Sequence, residues 1–240
     1  MHRLSRVSRL GLVALAAGAM LLSFGNNAAA ETASDLAPVD IVAVSGLIDE
    51  VVVASIENAI KRSESNGAQA LVLQLNSRGA VVSHERMAGL LEKIADARIP
   101  VAVWVGPSSA RAFGLSAQLL TVADVRAMAP GALIGFTGPA LQVNGEETSF
   151  GDSSAILRTS SIGFSEARKE GILNFAGDDE GVPVVRNMLL ALDGIIVGGI
   201  ELNTVIETVD ETGQIVRDAT QARFYKLELT DQLMHTVASP

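Results

Sequence analysis

The chain has 240 residues, a formal net charge of -9 at pH 7, and no cysteine; 48% of its residues are hydrophobic but only 4% are aromatic. An acidic chain repels phosphate backbones, which argues against a nucleic-acid partner. The missing cysteines exclude disulfides, thiolate chemistry and zinc–sulfur sites, and the aliphatic bias fits buried parallel strands covered by helices.

The N-terminus carries Arg3, Arg6 and Arg9, then an apolar stretch over residues 10–24, then Ala28-Ala29-Ala30 before Glu31. A basic start, an apolar middle and a small-residue end predict a secretory signal peptide cleaved after Ala30, with a retained membrane anchor as the alternative. No later run approaches the roughly 20 apolar residues that span a bilayer. Residues 31–38 read as a linker and residues 40–45 as a first strand. A helix fits residues 48–63, with Ile48, Val51, Val52, Ser55, Ile56, Ala59 and Ile60 on one face. Asn66-Gly67 marks a turn before a buried strand at residues 70–75. Residues 76–80 read as a turn, followed by a helix striped with Met87, Leu90, Leu91, Ile94 and Ala95. A strand at 101–105, a small-residue helix over 110–122 and a strand at 125–128 complete the alternation of a right-handed parallel α/β layer.

After Gly138 the pattern changes. Residues 141–179 are polar and weakly periodic, which predicts a mobile excursion with one helix near 164–174. Helical spacing returns over 182–192. Residues 204–209 and 214–217 flank Asp210-Glu211-Thr212-Gly213 as a hairpin, and residues 223–229 alternate as a strand. The expected organisation is a signal peptide at 1–30, an α/β domain at 31–193, and a small β-rich C-terminal subdomain with a tail at 194–240.

In open α/β sheets, functional loops gather beyond the carboxyl ends of strands. Three glycine-bearing segments qualify: 76–80, 106–114 and 129–138. Glycine there lets peptide N–H groups approach a ligand and cradle an oxyanion, or simply permits a tight turn. Other chemistry is poorly supplied. Beyond the signal segment only His84 and His235 remain, and His84-Glu85 lacks the second histidine of a zinc motif. No G-x-S-x-G elbow, Walker loop or dinucleotide fingerprint occurs, so no metal or cofactor is expected.

Asn76-Ser77-Arg78-Gly79-Ala80 resembles the "D/N-S-P-G-G" turn of Clp-class serine proteases and NfeD-like membrane proteins, with Arg78 in place of proline and Ala80 in place of the second glycine. Ala127-Met128-Ala129-Pro130-Gly131 with Ile134-Gly135 resembles the "MAPG-x-x-IG" run of the NfeD-like protease domain. The resemblance implies an α/β Clp protease/crotonase-like fold: a mostly parallel sheet with flanking helices. It implies an oxyanion hole at the amides of Gly79 and Ala80. It puts the family's nucleophile at Gly114, which has no hydroxyl. Ser116 is an alternative nucleophile, but two residues along a helix is roughly 200° around its axis. The family's base is a lysine; the only one between residues 138 and 187 is Lys169, in a charged run. Ser154, Arg158 and Thr159 stand where that lysine falls, and arginine cannot act as a base.

Two functions follow from the resemblance. One is a serine endopeptidase that cuts an apolar segment of a protein such as a stomatin-like membrane partner. The other is a catalytically inactive peptide-binding or scaffolding domain. Acyl-CoA chemistry on a crotonase-type fold is a third, opposed by the export signal. The resemblance also implies a homo-oligomer. Residues 227–240 resemble the segment before a transmembrane helix, which implies membrane association, or secretion if the natural chain ends at Pro240.

Overall fold

A computed structural model describes residues 36–175 and 181–225 of the chain. The signal-peptide and tail expectations, and His235, lie outside the described residues.

β1 (Val39–Ile48) leads into α1 (Glu50–Ser65), whose first turn is capped by Asp49: its Oδ1 accepts from Val52 N at 2.9 Å. β2 (Ala70–Ala80) leads into α2 (His84–Ala95), capped by Ser83 Oγ accepting from Arg86 N at 3.1 Å. α1 buries Val53, Ile56, Ala59, Ile60 and Ser63; of the expected face, Val51, Val52 and Ser55 are only half-buried and Ile48 belongs to β1 instead. α2 buries Met87, Leu90, Leu91 and Ile94 as expected, while Ala95 is exposed at its end.

β3 (Val101–Val105) is buried at every position. The helix expected over 110–122 is instead β4 (Arg111–Phe113), a 3-10 segment (Gly114–Gln118) and α3 (Leu119–Val122). β4 forms because strands lie on both sides of it: Ala112 pairs with Ser77, and Arg111 to Phe113 pair with Leu133 to Gly135. Three residues are too few for periodicity to reveal. β5 (Val125–Met128) and β6 (Leu133–Gly135) follow. The excursion holds β7 (Gln142–Val143), β8 (Glu146–Glu147), a 3-10 turn (Gly151–Ser153), α4 (Ser154–Leu157), β9 (Ser161–Gly163) and α5 (Phe164–Lys169). After it come α6 (Val185–Leu192), β10 (Ile196–Val197), β11 (Ile200–Glu201), β12 (Val205–Val209), β13 (Ile215–Ala219) and β14 (Ala222–Tyr225).

Eight strands form one curled sheet that divides at β2. The first half of β2 pairs with β3, which pairs with β5; its far end pairs with β4, which pairs with β6 and then β9. Every pairing is parallel except that of β6 with β9. Residues 76–80 are therefore extended strand, not a turn. β1 runs on beyond an irregularity between Gly46 and Ile48, and Ile48 pairs with Ala80.

The C-terminal β-rich region also reaches the main sheet. β12 and β13 form the expected antiparallel hairpin, but β14 lies parallel to β1 at the sheet edge. Asp40, fully buried, ties β14 in place: it accepts from Arg223 Nε at 2.6 Å and from Ser63 Oγ at 2.6 Å. A buried carboxylate persists only when paired and hydrogen-bonded in this way. Trp104 is fully buried and its Nε1 donates to Val182 O at 2.9 Å, anchoring the chain that returns after the excursion. Among the described residues no helix is long and apolar enough to cross a membrane.

Candidate functional site

β4 and β6 interrupt two of the three glycine-bearing segments, so each segment serves two ends of the sheet. Ser109 N donates to Pro130 O at 3.3 Å, which brings 106–110 and 129–132 together before β4 and β6 begin. The later halves meet at the opposite ends of those strands. There Gly114 N donates to Phe136 O at 3.0 Å.

Gly114 ends β4 with φ +60°, a left-handed conformation that costs side-chain-bearing residues energy. A Cβ on Gly114 would stand 3.3 Å from Gly79 Cα and 4.0 Å from Arg78 O. The start of the 3-10 segment and the end of β2 therefore face each other at van der Waals distance. Gly79 and Gly114 are brought together.

The two amides differ. Gly79 is buried with φ +146°, and its N–H donates weakly to Ser77 Oγ at 3.3 Å; Ser77 Oγ in turn donates to Gly79 O at 2.9 Å. Ala80 is half-buried and is not among the residues with positive φ, so alanine sits there without the strain that would need a glycine. Beyond Ser77, the side of β2 away from β1 has no strand partner among the described residues. Residues 78–80 thus present an unpaired strand edge beside Gly114.

Large apolar side chains border this crevice. Leu47 Cδ2 lies 3.8 Å from where a Gly79 Cβ would be, and Leu47, Val81 and Phe136 are all exposed. Phe136 has φ +49° and packs edge-on against Phe113, with ring centroids 5.3 Å apart. A phenylalanine in that conformation costs about 1–3 kcal/mol. Hydrogen bonds on both sides hold it: Phe136 N donates to Ser160 O at 3.0 Å, and its O accepts from Gly114. Neither Phe136 nor Leu47 stood out in the sequence, because nothing local marks an apolar residue as exposed.

Ser116 is fully buried, its Oγ donating to Phe113 O at 2.7 Å and lying 3.3 Å from Ser77 O. Lys169 is exposed at the end of α5. α5 leaves β9 at Gly163, which pairs with Leu133, whereas Phe113 pairs with Gly135 at the other end of β6. The register carries Lys169's helix away from Gly114. His84 is exposed as the first residue of α2. Among the described residues no group of His, Asp and Glu could hold a metal ion.

No family model matches the chain, and no curated protein matches it. Solved structures do. A membrane protease specific for a stomatin homologue from Pyrococcus horikoshii is similar at TM-score 0.57 and 18% identity, over 85% of this chain and 99% of that one. A lysine-to-alanine mutant of a membrane-bound stomatin-specific protease, in complex with a substrate peptide, is similar at TM-score 0.58 and 19% identity, over 84% of this chain and 98% of that one. The likeness spans nearly the whole of those protease chains, and the protein shares their Clp/crotonase-like α/β fold.

Proposed function

We propose that this protein is a catalytically inactive relative of the Clp-class serine proteases, which captures an extended apolar peptide in the crevice between residues 78–80 and Gly114. The observation that carries this reading is the unpaired edge of β2 facing a residue with no side chain. A peptide added there gains main-chain hydrogen bonds, and Leu47, Val81 and Phe136 supply apolar contacts for its side chains. Hydrolysis needs a hydroxyl at the crevice and a base within hydrogen-bond reach. Gly114 offers no hydroxyl, Ser116 spends its own on Phe113 O, and Lys169 is on a solvated helix.

The second reading is a serine endopeptidase using Ser116 and an unusual base. It is favoured by the solved protease that holds a substrate peptide on the same fold. The partner by analogy is a stomatin-like membrane protein. The signal-like N-terminus and the juxtamembrane-like tail support an exported, membrane-associated protein. A fluorophosphonate probe separates the two readings. The expected result is no labelling of the wild-type chain; labelling that disappears in Ser116→Ala establishes the protease.

A further inference from the structure

The 3-10 segment that starts at Gly114 ends at Gln118, whose side chain is almost fully buried. Gln118 Nε2 donates to Thr137 O at 3.1 Å and to Pro139 O at 3.4 Å. Two carbonyl acceptors fix which end of the amide is nitrogen, since an oxygen turned toward them would be repelled. Gln118 Oε1 is left buried without a donor. A buried acceptor without a partner carries an unrecovered desolvation cost, and such groups in native proteins call for a specific explanation.

Gln118 walls a cleft of about 120 Å³ that Glu147, Thr148 and Arg158 also line. The Glu147 carboxylate and the Arg158 guanidinium are each without an ion pair or side-chain hydrogen bond among the described residues. Thr148 Oγ1 accepts from Leu141 N at 2.8 Å, which leaves its hydroxyl proton to donate. The cleft therefore combines one charge of each sign and a hydroxyl donor, in a wall whose Gln118 keeps a buried acceptor without a partner. A multiply charged anion such as phosphate would be repelled by Glu147 and by the Gln118 oxygen. A lone ammonium would leave Arg158 unused.

We propose that this cleft binds a small α-carboxylate with a neighbouring N–H, the chemistry shared by a free amino acid and the C-terminal residue of a peptide. The planar fork of Arg158 matches the carboxylate, and Gln118 Oε1 receives the N–H after a small side-chain shift. Glu147 takes part when the nitrogen is a charged ammonium. The peptide-capture reading uses none of Gln118, Glu147, Thr148 and Arg158, so failure of this proposal leaves that reading standing.

Calorimetric titration of the full chain with L-alanine, N-acetyl-L-alanine and L-alaninamide tests this. Saturable binding of alanine alone assigns the free amino acid; binding of N-acetylalanine, with or without alanine, admits a peptide terminus. In either case alaninamide should bind about tenfold more weakly or worse, and Arg158→Gln should weaken carboxylate binding by about tenfold or more. Arg158 is exposed, so this variant should leave the fold intact, which thermal melting verifies. The proposal is overturned if neither carboxylate saturates at millimolar concentration, if alaninamide binds equally well, or if Arg158→Gln binds like wild type.

Discussion

Gly114 combines two constraints that no other side chain meets. Its φ of +60° is left-handed, and a Cβ would press to 3.3 Å against Gly79 Cα, so Gly79 would have to yield by a few tenths of an ångström. Gly114→Ala should therefore destabilise the chain by about 1–2 kcal/mol, measured by urea unfolding. A change within a few tenths of wild type would mean that the backbone here is not held as described. The sequence reveals that position 114 lacks a hydroxyl, and motif spacing places it near Gly79. It does not reveal that Ser116 faces inward, because a 3-10 segment of five residues aims its side chains differently from an α-helix.

At the scale of elements, α1 and α2 are joined by Arg86, which donates to Glu57 at 2.6 Å and to Glu50 at 2.9 Å. The hydrogen bond from Arg86 outweighs the cost of burial and holds the Glu57 carboxyl below its ordinary pKa. A carboxyl whose pKa is depressed on folding contributes stability above its unfolded pKa, and that contribution is lost as pH falls through the folded value. Unfolding free energy should thus drop as pH falls below about 4.5, by about 1 kcal/mol more in wild type than in Glu57→Gln, since the pair is partly solvated. Parallel pH profiles for the two proteins would contradict this. Both helices were legible because apolar residues recur at helical spacing; their caps, Asp49 and Ser83, came only with the structure. The division of the sheet at β2 was not legible. It rests on the Ser77–Ala112 pair, and the return of β14 to β1 was hidden in the same way: both are contacts between distant residues that leave no local pattern.

For the whole molecule, the antiparallel β10–β11 and β12–β13 hairpins matter most. Ile196 and Ile200 on one, and Val209 and Ile215 on the other, expose large apolar side chains. Such surface supports the expected self-association. Sedimentation velocity at micromolar concentration should give an oligomeric mass that shifts toward monomer in the double variant Val209→Lys/Ile215→Lys; a wild-type monomer would remove that expectation. Peptide capture by the crevice rests on a different surface and is tested most directly by incubating the chain with a fluorescent apolar peptide of about ten residues. Anisotropy reports binding and mass spectrometry reports the state of the peptide. The expected result is micromolar binding that Phe136→Asp weakens by about tenfold or more, with the peptide recovered intact. Recovery of cleaved peptide, or equal binding by Phe136→Asp, would contradict a crevice that holds its ligand without cutting it.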